Sequence, residues 1–269
     1  MSSAELRVTV PALLRKKTRG EKIVMLTAYD HPFARLFDQA GVDAILVGDS
    51  MGQVVQGHDT TLPVTLDEVV YHCRAVSRGV RRALVVGDLP FGSYHASAED
   101  AVRSAVRLVK EGGAHAVKLE GGERVADRIA ALARLEIPVI GHVGLTPQSV
   151  HQFGGYRVQG RGEEGHQRVL RDARAVEAAG AFALVVECVP RELAREITAE
   201  LRIPTIGIGA GLGCDGQVLV MHDLLGLGET PAPRFARQYV ALGDVVRRAA
   251  ELWAEDVRNQ KFPGDAESY

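Results

Sequence analysis

Apolar runs of strand length recur along the chain, and most of them stop on an ionisable side chain. Asp43-Ala44-Ile45-Leu46-Val47 leads into Gly48-Asp49-Ser50, Ala83-Leu84-Val85-Val86-Gly87 stops at Asp88, and Ala116-Val117 runs into Lys118 and Glu120. Further on, Ile137-Pro138-Val139-Ile140-Gly141 stops at His142, and Phe182-Ala183-Leu184-Val185-Val186 stops at Glu187. Such runs, bounded by glycine and turn residues, predict strands over 22–27, 43–47, 83–87, 115–119, 137–141, 182–186, 203–208 and 217–221. Between them apolar residues fall at helical spacing, which predicts helices over 10–19, 30–40, 66–79, 98–110, 123–135, 164–179 and 190–201, with 234–261 mostly helical. Thr65 with Glu68 forms a capping box at the start of one helix, Ser97 caps another, and Gly112-Gly113 ends it. Strands alternating with helices over about 250 residues predict an α/β fold, the (β/α)8 TIM barrel. A doubly wound open sheet is the competitor; against it, no GxGxxG opens a helix after the first strand.

The expected organisation is one domain over 1–269: a flexible tail and capping helix in 1–22, the barrel in 23–228, and a C-terminal helical segment and tail in 229–269. Two polar loops, after residues 52 and 143, are long for a compact domain and mark the functional side. A chain of 269 residues, 46% hydrophobic, buries a full core. With 32 Lys and Arg against 34 Asp and Glu, no net field favours nucleic acid or an anionic membrane, so a small-molecule partner is expected. Three cysteines without CxxC spacing argue against a disulfide framework or a zinc site, and the absence of a signal-like or membrane-spanning run fits a cytoplasmic protein.

In a parallel barrel all strand C-termini share one face, so Asp49, Asp88, Glu120, His142 and Glu187 should converge there. Oxygen ligands from Asp49, Asp88 and Glu120 favour a hard cation such as Mg²⁺, although single aspartates at such places also serve as caps and turn formers. Lys118 and Glu120, two apart on a strand, point the same way. Lys118 reads as a Schiff-base nucleophile, as a fixed charge for a substrate carboxylate, or as half of a structural ion pair; the neighbouring carboxylate favours the charged amine. Glu187, against aliphatic walls, is the candidate base, with hydrogen bonding to the next helix as the alternative. His142 could meet metal-bound water, act as an acid, or be a satisfied core histidine. Cys188 reads as a packing residue. Gly207-Ile208-Gly209-Ala210-Gly211 looks like a phosphate cradle but more readily serves a tight turn.

Several blocks together resemble the ketopantoate hydroxymethyltransferase family: Met25-Leu26-Thr27-Ala28-Tyr29-Asp30, Val47-Gly48-Asp49-Ser50, Val55-Gln56-Gly57-His58-Asp59, Asp88-Leu89-Pro90-Phe91, Val117-Lys118-Leu119-Glu120-Gly121-Gly122 and Gly141-His142-Val143-Gly144-Leu145-Thr146-Pro147-Gln148-Ser149. The chain departs from the family at its end, Glu267-Ser268-Tyr269. The resemblance implies a barrel that assembles as a homodecamer, needs Mg²⁺, and moves a hydroxymethyl group from 5,10-methylenetetrahydrofolate to 3-methyl-2-oxobutanoate in pantothenate synthesis. It further implies metal contacts from Asp49, Asp88 and Glu120, 2-oxo acid contacts from Asp49, Ser50, Asp88 and Lys118, and proton abstraction by Glu187. A Mg²⁺-dependent carbon–carbon lyase and a Schiff-base aldolase on 2-oxo acids are the alternatives.

Overall fold

The structure, a computed structural model, describes residues 7–228 and 232–269, so residues 1–6 of the expected N-terminal tail and 229–231 of the expected C-terminal segment lie outside the described residues. Eight parallel strands close in chain order into one barrel: β1 (Ile23–Thr27), β2 (Ala44–Val47), β3 (Leu84–Asp88), β4 (Ala116–Glu120), β5 (Val139–Gly144), β6 (Ala183–Glu187), β7 (Thr205–Ile208) and β8 (Gly216–Leu219). The helices are α1 (Val10–Arg19), α2 (His31–Gln39), α3 (Met51–Val54), α4 (Leu66–Gly79), α5 (Ala98–Lys110), α6 (Ala126–Arg134), α7 (Val150–Phe153), α8 (Gly162–Ala178), α9 (Arg191–Glu200), α10 (Met221–Leu225) and α11 (Leu242–Arg258). Two compact units divide the chain, one ending at Val220 and the other comprising Met221–Tyr269. Barrel and α1 to α9 belong to the first.

Local chemistry sets the helix ends. Thr9 caps α1 through the Ala12 amide, and Gly20 closes it in the left-handed region. The capping box of α4 is complete: Thr65 Oγ1 accepts from the Glu68 amide, and Glu68 Oε2 accepts from the Thr65 amide at 2.7 Å. Leu13 of α1, 1% exposed, packs in the same cluster as Met25, Leu84, Ala116 and Ile206, so this helix plugs one end of the barrel.

Alternate positions of each strand point inward. Leu84 and Val86 lead to Asp88, Ala116 leads to Lys118 and Glu120, Ile140 to His142, and Ala183 and Val185 to Glu187; the apolar members all belong to one buried cluster. The barrel interior thus becomes ionisable toward its C-terminal end. These charged residues are the last rungs of the ladder, Asp88 opposite Lys118 and Glu120 opposite His142, where the sequence suggests that the strands stop just short of most of them.

Several other boundaries differ from expectation. The loop after residue 143 carries a 3₁₀ turn at Pro147–Ser149 and the short α7, and β8 ends at Leu219. Residues 234–241 are not helical: the Tyr239 amide is used by the Leu224 carbonyl at 2.9 Å, and Ala236 closes a turn onto Pro233. α11 therefore begins only at Leu242. In the second unit α11 buries none of its residues, and Val245, Trp253 and Val257 stand exposed. Among the described residues no helix is long and apolar enough to cross a membrane.

Candidate active site

Asp88 and Lys118 meet across the β3–β4 ladder. The Lys118 ammonium donates to both Asp88 carboxylate oxygens at 2.8 Å and lies 3.6 Å from Glu120 Oε1, its neighbour on the same face of β4. Asp49, on the turn just after β2, gives its backbone amide to Asp88 Oδ2 at 3.2 Å. Its own Oδ2 accepts from Gln148 Nε2 at 2.8 Å. Gln148 also donates its backbone amide to Glu120 Oε2 at 3.0 Å. Its side-chain oxygen accepts the Tyr94 hydroxyl at 2.7 Å, so one glutamine ties the carboxylates of β2 and β4 together. The four ionisable members are between 1% and 4% exposed.

His142, inside the barrel on β5, stands between two carboxylates. Nδ1 is 3.5 Å from Glu120 Oε1 and Nε2 is 3.1 Å from Glu187 Oε2, within ion-pair range although off the line of a straight hydrogen bond. Glu187 is placed by the edge of β6: it pairs with Gly144, whose φ is 93° and where a Cβ would sit 2.2 Å from the Glu187 carbonyl oxygen. The next residue, Cys188, takes φ 47°, an uncommon conformation that turns the chain sharply off the strand. Burial, then the Glu187 charge, push its thiol up to about 12, so it packs rather than reacts. Ser50 reaches the Tyr29 hydroxyl at 2.8 Å. Gly209 and Gly211 take φ of 62° and 78°, so the glycine run after β7 serves a turn. The three cysteines are free and buried.

Burial opposes the charge of every group in this cluster, and the neighbouring charges decide which of them keep it. Burial, reinforced by Asp88 and Glu120, holds the Asp49 carboxyl well above the usual range. Burial raises Asp88 as well, against the pull of Lys118. Glu120 resists burial because Lys118 and His142 stabilise its charge, and it lies below its usual value. Burial opposes the charge of Lys118, but Asp88, Glu120 and Asp49 outweigh it, so the amine is held firmly protonated. Burial and Lys118 oppose the charge of His142, yet Glu120 and Glu187 carry it up to about 9.

Of the three buried carboxylates two, Asp88 and Glu120, meet the Lys118 ammonium, and Glu120 Oε1 is buried without a hydrogen-bond partner. Hard oxygen donors with surplus negative charge suit a divalent cation. As they stand the carboxylates answer to protein donors: among the described residues no three His, Cys, Asp or Glu side chains are placed to hold a metal ion between them. The fit to Mg²⁺ is therefore one of charge and donor type. Every candidate residue named from the sequence lies at this end of the barrel. Gln148 and Tyr94 were missed: neither is charged at neutral pH, and neither ends an apolar run.

A closed parallel barrel with buried acids, an ammonium and an imidazole on its C-terminal rim has the form of a TIM-barrel enzyme with its active site at the strand ends. A model of the family described as ketopantoate hydroxymethyltransferase matches residues 7–265. A 3-methyl-2-oxobutanoate hydroxymethyltransferase of Pelobacter propionicus is 54% identical over 269 residues, covering 100% of both chains. One from Anaeromyxobacter sp. (strain Fw109-5) is 55% identical over 267 residues, covering 98% of this chain and 88% of its own. The chain belongs to the ketopantoate hydroxymethyltransferase family. Among solved structures it is similar in fold to a phosphonopyruvate hydrolase, with TM-score 0.62 and 17% identity, covering 97% of this chain and 91% of the other. A 2,3-dimethylmalate lyase of the PEP mutase/isocitrate lyase superfamily gives TM-score 0.60 at 19% identity, with the same coverage of 97% and 91%.

Proposed function

We propose that this chain transfers a hydroxymethyl group from 5,10-methylenetetrahydrofolate to C3 of 3-methyl-2-oxobutanoate, giving 2-dehydropantoate and tetrahydrofolate through an enolate of the 2-oxo acid. What supports this reading, beside the family, is the buried cluster itself: surplus acid beside one fixed ammonium, with a histidine-linked carboxylate opposite. Held by Asp49, Asp88 and Glu120, Mg²⁺ would supply the Lewis acidity that loosens the C3 proton. Asp49, Ser50, Asp88 and Lys118 contact the 2-oxo acid, and Lys118 offsets the charge that develops on its oxygens. Glu187 removes the C3 proton, with its carboxylate oriented by His142. The resulting carbanion attacks the one-carbon unit, and water completes both products.

Lys118 lies on both oxygens of Asp88, which keeps its amine charged and disfavours the Schiff-base alternative. Product formation from both substrates should fall about 10²-fold or more in EDTA, the equivalent of the several kcal/mol a Lewis acid contributes, and return with Mg²⁺. Borohydride with substrate should leave the mass of the chain unchanged. Activity that survives chelation together with a reduced adduct at Lys118 would replace this reading with the aldolase; product formed without folate would replace it with the lyase.

The same reading includes a cytoplasmic enzyme that assembles as a homodecamer, and the exposed apolar side chains of α11 supply a surface for self-association. Light scattering should return ten chains of 29.0 kDa, and a monomer would contradict it.

A further inference from the structure

A second feature of the first unit lies beside the cluster. A cavity of about 990 Å³ opens between the loop after β3, the loop after β4, the segment after β5, and α8. Its size is at the upper end of small-molecule sites and far exceeds what a five-carbon acid fills. Phe91 and Phe153 give it aromatic walls, and Arg124, Arg128 and Arg168 give it charge. Arg128 is committed, donating to Asp127 and to the His95 carbonyl, although its Nε is buried without a partner. Arg124 and Arg168 are different. They donate only to neutral groups, Arg124 to Ser149 Oγ and Arg168 to Gln159 Oε1, both at 2.9 Å, and among the described residues neither is paired with a carboxylate. The acids in the same wall, Glu123 and Asp172, are linked to one another, Asp172 Oδ1 accepting the Glu123 backbone amide at 3.0 Å.

Cavity and cluster share Gln148, which lines the first and bonds Asp49 and Glu120 in the second. Cavity and carboxylate cluster therefore meet at this one buried side chain.

We infer that this cavity is the donor's site: a reduced folate lies with its flat ring system toward Gln148 and the phenylalanines, and its glutamate carboxylates on Arg124 and Arg168. Guanidinium forks match carboxylates in geometry as well as charge, and two without acidic partners fit an anionic tail. The ring end then presents its one-carbon unit toward the 2-oxo acid, while the tail runs outward past α8. This assignment rests on the proposed hydroxymethyl transfer and adds to it where the donor binds.

The test is steady-state transfer by Arg124→Gln and Arg168→Gln, with mono- and triglutamyl 5,10-methylenetetrahydrofolate, beside deuterium wash-in at C3 of 3-methyl-2-oxobutanoate, which needs no folate. Each variant should raise the KM for donor about tenfold, in line with the loss of a charge-assisted contact, and shrink any preference for the triglutamate. Wash-in and the KM for the 2-oxo acid should stay at wild-type values, and Arg124→Lys or Arg168→Lys should recover part of the loss. Donor KM unchanged in both Gln variants, with transfer intact in the wild-type chain, overturns the cavity assignment alone. A wild-type chain that exchanges C3 deuterium but transfers nothing from folate overturns the proposed function first.

Discussion

Replacing Glu187 with Gln should slow deuterium wash-in at C3 of 3-methyl-2-oxobutanoate by about 10²–10⁴-fold, the range a positioned general base contributes. Binding of the 2-oxo acid, read by calorimetry, should stay close to wild type. Geometry gives the reason. Among the acids of the cluster, Asp88 and Glu120 have side chains 2% and 1% exposed, and both are engaged by Lys118, whereas the Glu187 side chain is 14% exposed and lies 3.1 Å from the His142 ring. Glu187 is thus the most exposed of these three acids, which suits it to meet a substrate proton. A Gln keeps the shape and the contact with His142 but cannot take that proton. Undiminished exchange in Glu187→Gln would move the base elsewhere.

The second large effect is on stability. Lys118→Met keeps the length of the side chain and removes its charge, leaving Asp49, Asp88 and Glu120 to repel one another in a dehydrated interior. Breaking a buried pair by removing one partner typically costs about 3–5 kcal/mol, and that is the loss expected in denaturant unfolding at neutral pH in EDTA. Two dependences identify the cause. Because burial and mutual repulsion already hold Asp49 and Asp88 above their usual values, acidification should protonate them first and narrow the gap between variant and wild type. Mg²⁺ should restore part of the lost stability, since a ligand that binds only the folded state stabilises it by mass action. A variant as stable as wild type at neutral pH would mean that the carboxylates are not charged together.

Much of this site was legible in the chain because an inward-facing strand position can be recognised by what precedes it. Leu84 and Val86 ahead of Asp88, or Ala183 and Val185 ahead of Glu187, are core residues at a period of two, and a charge in the next inward slot stands out against them. The pairing of Lys118 with Glu120 followed from the same period. Gln148 and Tyr94 were not legible for a physical reason. They reach the cluster from loops, where no periodicity fixes direction, and a neutral amide or phenol carries no charge to mark a site. The link between His142 and Glu187 was equally hidden, because it depends on the register of β5 against β6, in which Gly144 rather than His142 stands opposite Glu187. In the C-terminal segment, helical spacing read from 234 extended too far: the Tyr239 amide is used by the Leu224 carbonyl, a long-range preference that composition does not encode.

Whether Asp49, Asp88 and Glu120 act on the 2-oxo acid through a divalent cation is decided most directly by deuterium wash-in at C3 of 3-methyl-2-oxobutanoate in the wild-type chain, without folate, in Mg²⁺ and then in EDTA. Exchange that appears with Mg²⁺, disappears on chelation and is lost in Asp88→Asn is the expected result. Exchange that proceeds equally in EDTA, or none in either condition, would contradict it.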